Sequence, residues 1–313
     1  MEGEIPIGSS RDLPDLRHSA RCDLGAQELS ELLRGVGLVL AAPTLPELAP
    51  LRAALRDAEP LEVAGKPWWL GHLAPRGAGA AARVLVVLTG YEKANVAHAL
   101  TSVLQSGRPR AVILSGVGGG FAQAGVDVGD LVVVEREAYG DTGAWSAEGD
   151  WLSAEELGLP LAEVAGRPLW NEFPLDAALA RRAHDLLQEL VWEAEDREAV
   201  PAESRRGLRA EARVDGSEAV HRGLGVTNST ACGTVAGAER LWKRWQPLVE
   251  SMEGAAAAHI CLLYGVPLVE LRGISNLVGP RDRSSWQLEA AAERSGRAAV
   301  AVAIDLLGGA PSA

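Results

Sequence analysis

Apolar residues in this chain fall in short unbroken blocks separated by longer amphipathic stretches, the pattern of buried strands alternating with helices. Gly37–Ala42, Arg83–Leu88 and Ala111–Ser115 are blocks of the buried-strand type. Trp68–Leu73, Val128–Glu135, Gly225–Thr230 and Val266–Ser275 are further predicted strands, and Leu248-Val249 is a very short one. Between them Leu48, Leu51 and Leu55 recur at helical spacing, and helices are predicted over 92–104, 175–192, 234–245, 254–263 and 286–307. Gly265 and Pro267 stop the small-residue helix 254–263, as glycine and proline do beyond a helix end. Trp151–Gly158 and Ala26–Arg34 read as shorter helices. Strands alternating with helices in this way predict an α/β fold in which helices cover both faces of a sheet.

Composition narrows the function without naming it. The chain has 313 residues, 47% hydrophobic, with 35 glycines, enough for one large core or two modest ones. A net charge of −12 with no basic block argues against nucleic acid and against electrostatic attraction to an anionic membrane. No apolar run reaches the length of a membrane span, and the polar stretch Met1–Asp15 has no secretory h-region. Cys22, Cys232 and Cys261 are odd in number and lack CxxC spacing, which fits reduced thiols in a cytoplasm. The six histidines do not pair at ligand spacings, so neither a metal nor another cofactor is expected. Residues 1–34 read as a partly flexible extension, and 35–313 as one domain. Glu193–Gly223, charged and free of aromatics, reads as a solvated insertion.

Chemistry concentrates where strands are predicted to end, the edge at which α/β sheets bind ligands. Glu253 lies at a strand-to-helix junction, where it is either an ordinary N-terminal cap or an ionised acceptor for the two hydroxyls of a vicinal diol. Glu47 stands three residues after Thr44, a capping-box spacing. The turn Gly116–Gly120 lacks both G-x-G-x-x-G and G-K-[ST], and reads as backbone that a ligand approaches closely. Phe173 precedes a helix and suits a hydrophobic staple. Asn276 suits a strand-end turn, and Arg281, Asp282 and Arg283 suit a surface salt-bridge cluster.

Three stretches add a resemblance. Thr89–Asn95, Gly116–Gly120 and Met252-Glu253-Gly254-Ala255 with Arg272-Gly273-Ile274-Ser275-Asn276 resemble, in that order along the chain, the nucleoside phosphorylase and nucleosidase family. The tail Ser275–Arg283 is most similar to its futalosine hydrolase subgroup, which removes hypoxanthine from a menaquinone precursor. The resemblance implies a three-layer α/β/α fold with a central mixed sheet, a small nucleoside substrate and a homo-oligomer of at least two chains. It also implies catalytic roles for Glu47, which would activate water, for Glu253 and for Asn276. Gly118, Gly119, Phe173, Met252, Glu253, Asn276, Arg281 and Arg283 would contact substrate, with Phe173 stacked on the base. Relatives specific for adenine carry Asp at the Asn276 position; a neutral amide suits a 6-oxopurine instead. Lys93 and Asn95 fall where phosphorylases keep phosphate-binding residues, but Thr89–Ser102 contains no arginine, which favours water as the nucleophile. Arg281 or Arg283 would meet the aryl carboxylate of futalosine, and Asp282 is an alternative proton donor.

Overall fold

The computed structural model describes residues 24–75, 80–190 and 219–308. The apolar blocks become its central strands. β1 (Leu38–Ala42) runs parallel to both its neighbours, β4 (Ala82–Leu88) and β5 (Ala111–Gly120). Beyond β4 lies an antiparallel hairpin of β3 (Lys66–Leu73) and β2 (Arg56–Val63). Its two-residue turn, Ala64-Gly65, has both φ angles positive, as a type I′ turn requires.

On the other side the sheet closes on itself. β5 pairs in parallel with β14 (Leu268–Leu277), and β14 pairs antiparallel with β6 (Leu131–Tyr139). β6 then pairs with β12 (Val220–Thr227), β12 with β13 (Val249–Ser251), and β13 returns antiparallel to Gly119-Gly120 of β5. Such a closed ring forces strands together at its narrow end. At Gly118 an added Cβ would collide with Val249 Cγ2, and at Gly120 it would lie 2.8 Å from Val126 Cγ1. β11 (Glu172–Pro174) occupies the edge of β6 past the point where β14 leaves it. Two small hairpins, β7 (Gly143–Trp145) with β8 (Trp151–Ser153) and β9 (Ala162–Val164) with β10 (Arg167–Leu169), connect β6 to β11.

Side chains alternate across the central strands, and each face receives its own helices. Val39, Ala41, Val112 and Leu114 share a core with α1 (Ala26–Leu32), α3 (Lys93–Ser106) and α6 (Gly254–Leu263). Leu38, Leu40, Ile113 and Val133 share the other with α2 (Leu45–Ala53), α4 (Ala177–Glu189) and α7 (Leu288–Gly308). α5 (Val235–Trp245) joins β12 to β13, capped by Thr234 Oγ1 on Gly237 N at 3.1 Å. The result is the expected three-layer α/β/α arrangement around a mixed sheet.

Several expectations need correction. Arg56–Val63 is a strand where helical spacing to Leu55 masked it: its residues are polar because it forms the sheet edge, and α2 stops at Ala53. Trp151–Gly158 is a short strand followed by turns, because Trp151 pairs with Trp145 across a hairpin. Residues 220–223, predicted to close the insertion, belong to β12; the rest of that insertion, 193–218, lies outside the described residues, as do 1–23 with Cys22. Among the described residues no helix is long and apolar enough to cross a membrane, and no group of His, Cys, Asp and Glu side chains suits a metal ion.

A helix lies tight against the sheet at Gly273, where an added Cβ would strike the backbone of Ala291 in α7. Gly273→Ala should therefore lower the urea midpoint, at a cost of about 1–3 kcal/mol. Gly37→Ala, whose nearest neighbour would be 3.7 Å away, should leave the midpoint nearly unchanged.

Candidate active site

The carboxyl ends of the parallel strands β1, β4, β5 and β14 lie at one edge of the sheet, and β13 returns antiparallel along the glycine run of β5. Over it lies a buried guanidinium. Arg272, fully buried on β14, donates through Nε to Glu270 Oε1 at 2.8 Å and through Nη1 to Glu253 Oε2 at 3.0 Å. Nη1 also meets the Val117 carbonyl at 3.3 Å. Burial opposes the arginine's charge, but Glu270 and Glu253 outweigh it and raise its pKa. Behind Glu270 sits Glu137, also fully buried, which accepts from Thr227 Oγ1 at 2.8 Å. Burial and the neighbouring Glu270 push the Glu137 carboxyl well above its ordinary range. Gly225 and Gly254 leave the room this pair fills, for a Cβ at either position would collide with Glu137 Oε1.

Glu253 does not cap α6. It makes no side-chain cap hydrogen bond; besides Arg272 it accepts from Glu92 N at 3.2 Å and Met252 N at 3.3 Å. Thr44 and Glu47 likewise form no capping box. Thr44 Oγ1 donates to Glu47 Oε2 at 2.5 Å, and Glu47 Oε1 accepts from Val117 N at 2.8 Å. Glu47 and Arg272 converge over Gly116, where an added Cβ would lie 2.9 Å from Glu47 Oε1 and 2.8 Å from Arg272 Nη1. Burial, reinforced by the charge of Glu253, raises the Glu47 pKa from 4.5 to about 6, against the hydrogen bonds from Thr44 and Val117. A carboxyl tuned there is ionised at neutral pH yet basic enough to take a proton from water.

Asn276 pairs with Gly119 in the β14–β5 register, two residues along β5 from Val117, a span of about 7 Å. Its Oδ1 accepts from Ser275 Oγ at 2.8 Å, and its Nδ2 donates to Leu277 O at 3.1 Å. Glu253, Glu47 and Asn276 thus flank one glycine strand in succession. Gly118 and Gly119 are filled by protein neighbours: a Cβ at Gly119 would lie 2.9 Å from Val278 Cγ2 and 3.3 Å from Asn276 Nδ2.

The remaining predicted residues sort differently. Phe173 is fully buried, stacked on His259 at 4.5 Å and edge-on to Tyr139 at 5.5 Å, so its ring packs the core. It is not a staple either, because Asp176 is the N-cap of α4 and Leu175 precedes it. Lys93 pairs with Asp141 at 2.5 Å, and Asp141 also accepts from Ser229 N at 2.6 Å. Met252 is half-buried beside Glu253. Arg281 and Arg283 form a cationic cover over the Trp286 ring, at 4.7 and 5.8 Å, instead of the expected salt-bridge cluster. Asp282 is exposed and accepts from Ser284 N and Oγ, which hold its carboxyl below the ordinary range; it is a poor proton donor. A separate open cavity of ≈ 550 Å³, bordered by Trp151, Trp170, Trp245 and Arg244, includes none of the residues around Arg272.

Glu137 and Glu270 were not singled out in the sequence, and Arg272 and Glu92 stood inside the motifs without a role of their own. The available signal was a charge inside each of two apolar strands, Glu137 in β6 and Glu270 with Arg272 in β14, since charges are almost never fully buried unless paired.

A tuned carboxylate, a second one held by a buried arginine, and an amide lie along one glycine strand of a mixed sheet, a cluster of the kind on which an α/β enzyme builds its site. Residues 36–307 match the phosphorylase superfamily, and the chain belongs to that family. It is 31% identical to a futalosine hydrolase of Thermus thermophilus over 210 residues, which cover 67% of this chain and 76% of that protein. It is 33% identical to a futalosine hydrolase of Streptomyces coelicolor over 185 residues, 58% of this chain and 60% of that one. The fold matches the 5′-methylthioadenosine/S-adenosylhomocysteine nucleosidase of Neisseria meningitidis, solved with methylthio-immucillin-A. The TM-score there is 0.64, with 20% identity over 86% of this chain and 98% of that one.

Glu47 carries a stability consequence. Its folded pKa of about 6 exceeds the ordinary 4.5, so the folded state binds more protons between these values and stability falls as pH rises through them. At roughly 1.4 kcal/mol per pKa unit the penalty above pH 6 is about 2 kcal/mol. Glu47→Gln should be the more stable protein at pH 8 in chemical denaturation, with the gain vanishing near pH 4.

Proposed function

We propose that the chain hydrolyses the N-glycosidic bond of futalosine and releases hypoxanthine, a step of menaquinone biosynthesis in the cytoplasm. The observation that carries the reading is Glu47, a buried carboxylate tuned to about 6, set against Arg272 and Glu253 over the β5 glycines. Two futalosine hydrolases among the relatives support the same substrate.

In this reading Glu253 accepts from the ribose hydroxyls, a task for which the hydrogen bond from Arg272 aims it. Water attacks C1′ as the C1′–N9 bond breaks, and Glu47 takes the proton the water loses. The bond's electron pair stays with the purine, whose O6 or N7 meets the Asn276 amide N–H, and the released base draws its proton from solvent. Met252 and the backbone at Gly118 and Gly119 border the sugar and base. Arg281 and Arg283, carried on Trp286, meet the aryl carboxylate beyond the ribose. Substrate, not nucleic acid or membrane, is the partner, and the working unit is a homo-oligomer of at least two chains.

Phosphorolysis is disfavoured by Lys93, which is tied to Asp141 beside Tyr139 rather than offered to an oxyanion. Cleavage of methylthioadenosine or adenosylhomocysteine, the activity named for the Neisseria relative, is the alternative. Asn276 weighs against it, because an unmatched buried polar group costs about 1–3 kcal/mol, tenfold or more in selectivity.

Purified protein in phosphate-free buffer should release base from futalosine, at least tenfold faster than from adenosine or methylthioadenosine. Strict dependence on phosphate, or preference for an adenine nucleoside, would overturn the proposal. Log kcat/KM should fall on the acid side with an apparent pKa of about 6, as Glu47 is protonated. Glu47→Gln should lower kcat by about 100-fold or more while ligand binding persists.

A further inference from the structure

Glu92 stands out in the backbone. It has φ 79° and ψ 152°, whereas the other described non-glycine residues at positive φ, Asp57, Ala64, Ala165 and Gln246, have φ between 46° and 50°. Theirs is the left-handed helical region that side chains visit at turns; the Glu92 conformation is one that glycine alone adopts freely. Such a conformation persists only where surrounding contacts enforce it.

The enforcing contacts are visible. Glu92 caps α3, its Oε2 accepting from Ala94 N at 3.0 Å, while Oε1 accepts from Ser229 Oγ at 2.7 Å. Ser229 is fixed in turn, its N–H on Asp141, which Lys93 holds from α3. Three loops, after β4, β6 and β12, are thereby clasped together at the rim of the site. The hydroxyl of Ser229 and the N–H of Ala94 keep the Glu92 carboxyl below its ordinary range, an ionised acceptor. The consequence of the unusual backbone lies on its other side: the Glu92 N–H points to Glu253 Oε1, the oxygen that Arg272 does not hold.

We propose that Glu92 is a positioning residue for the nucleoside site, its side chain anchored to Ser229 and Ala94 so that its backbone N–H fixes the free oxygen of Glu253. The inference rests on the reading of Glu253 as the ribose-gripping group. Arg272 and the Glu92 amide then grip the two carboxylate oxygens from opposite sides, which sets the plane presented to the diol. Because the ribose is held in ground and transition states alike, loss of this positioning falls on KM rather than kcat.

The distinguishing experiment compares Glu92→Ala, Glu92→Gly and Ser229→Ala for futalosine kinetics and for hydrogen exchange of the residue 92 amide by NMR. Alanine keeps the conformational penalty and loses the anchor. Glu92→Ala should raise KM about tenfold with kcat within about threefold, and lose protection of that amide. Glycine adopts the conformation unaided, so Glu92→Gly should keep KM within about threefold of wild type and keep the protection. Ser229→Ala should move both readouts in the direction of Glu92→Ala. Unchanged KM and protection in Glu92→Ala would overturn the proposal, as would a Glu92→Gly protein as impaired as Glu92→Ala. If the wild-type protein releases no base from any nucleoside, the hydrolase reading fails by itself. Amide exchange in the same variants then still decides whether Glu92 fixes Glu253.

Discussion

A single guanidinium, buried where β14 crosses the glycine strand, ties the architecture to the chemistry. Arg272 has no access to water, so its charge survives only because Glu270 and Glu253 lie within hydrogen-bonding distance on either side. Removing the arginine would leave both carboxylates buried without their counter-charge, a change of the kind that costs about 3–5 kcal/mol. The same ion pair that stabilises the closed ring therefore also places Glu253 and contributes to the tuning of Glu47.

Around that pair the glycines act as spacers. Gly116 leaves room for the Arg272 and Glu47 side chains, and Gly225 and Gly254 make room for Glu137 beside Glu270. The space beside Gly118 and Gly120 is taken instead by Val249 and Val126. Polar and aliphatic side chains alike press on this stretch of backbone, and this is why small residues cluster there. The two helix-covered cores elsewhere are conventional and supply the bulk of apolar burial.

The site is assembled from strand-end loops that share few contacts through the core, so their mutual placement depends on polar bonds at the rim. Lys93, Asp141, Ser229 and Glu92 provide them, joining the loops after β4, β6 and β12. Glu250, nearly buried on β13, does the same for the loop after β12 by accepting from Asn228 Nδ2 at 2.7 Å and from Cys232 N. Rigid strands fix the positions of Glu253 and Asn276 along β5. The rim bonds fix what faces them.

Much of this was legible in the residues themselves. Continuous apolar blocks fixed the central strands, because a strand buried on both faces has to be apolar throughout. The ends of the helix 254–263 were written locally, in a glycine at each end and a proline beyond. The short motifs around Glu253 and Ser275-Asn276 placed both residues at strand ends, and they lie beside the same glycine strand in the structure. What sequence left open was every question of partnership. Thr44 and Glu47 have the spacing of a capping box, and only the approach of β5 turns Glu47 toward Val117. Phe173 had two plausible jobs, and the packing of α6 against β11 gives it a third, against His259. β2 was not marked as a strand because a solvent-facing edge strand need not be apolar. Arg272 has one carboxylate partner two residues away on its own strand, Glu270, but its contact with Glu253 exists only because the turn before α6 is folded against β14. Local propensity and periodicity are properties of neighbouring residues, whereas burial of a charge is decided by contacts across the whole chain.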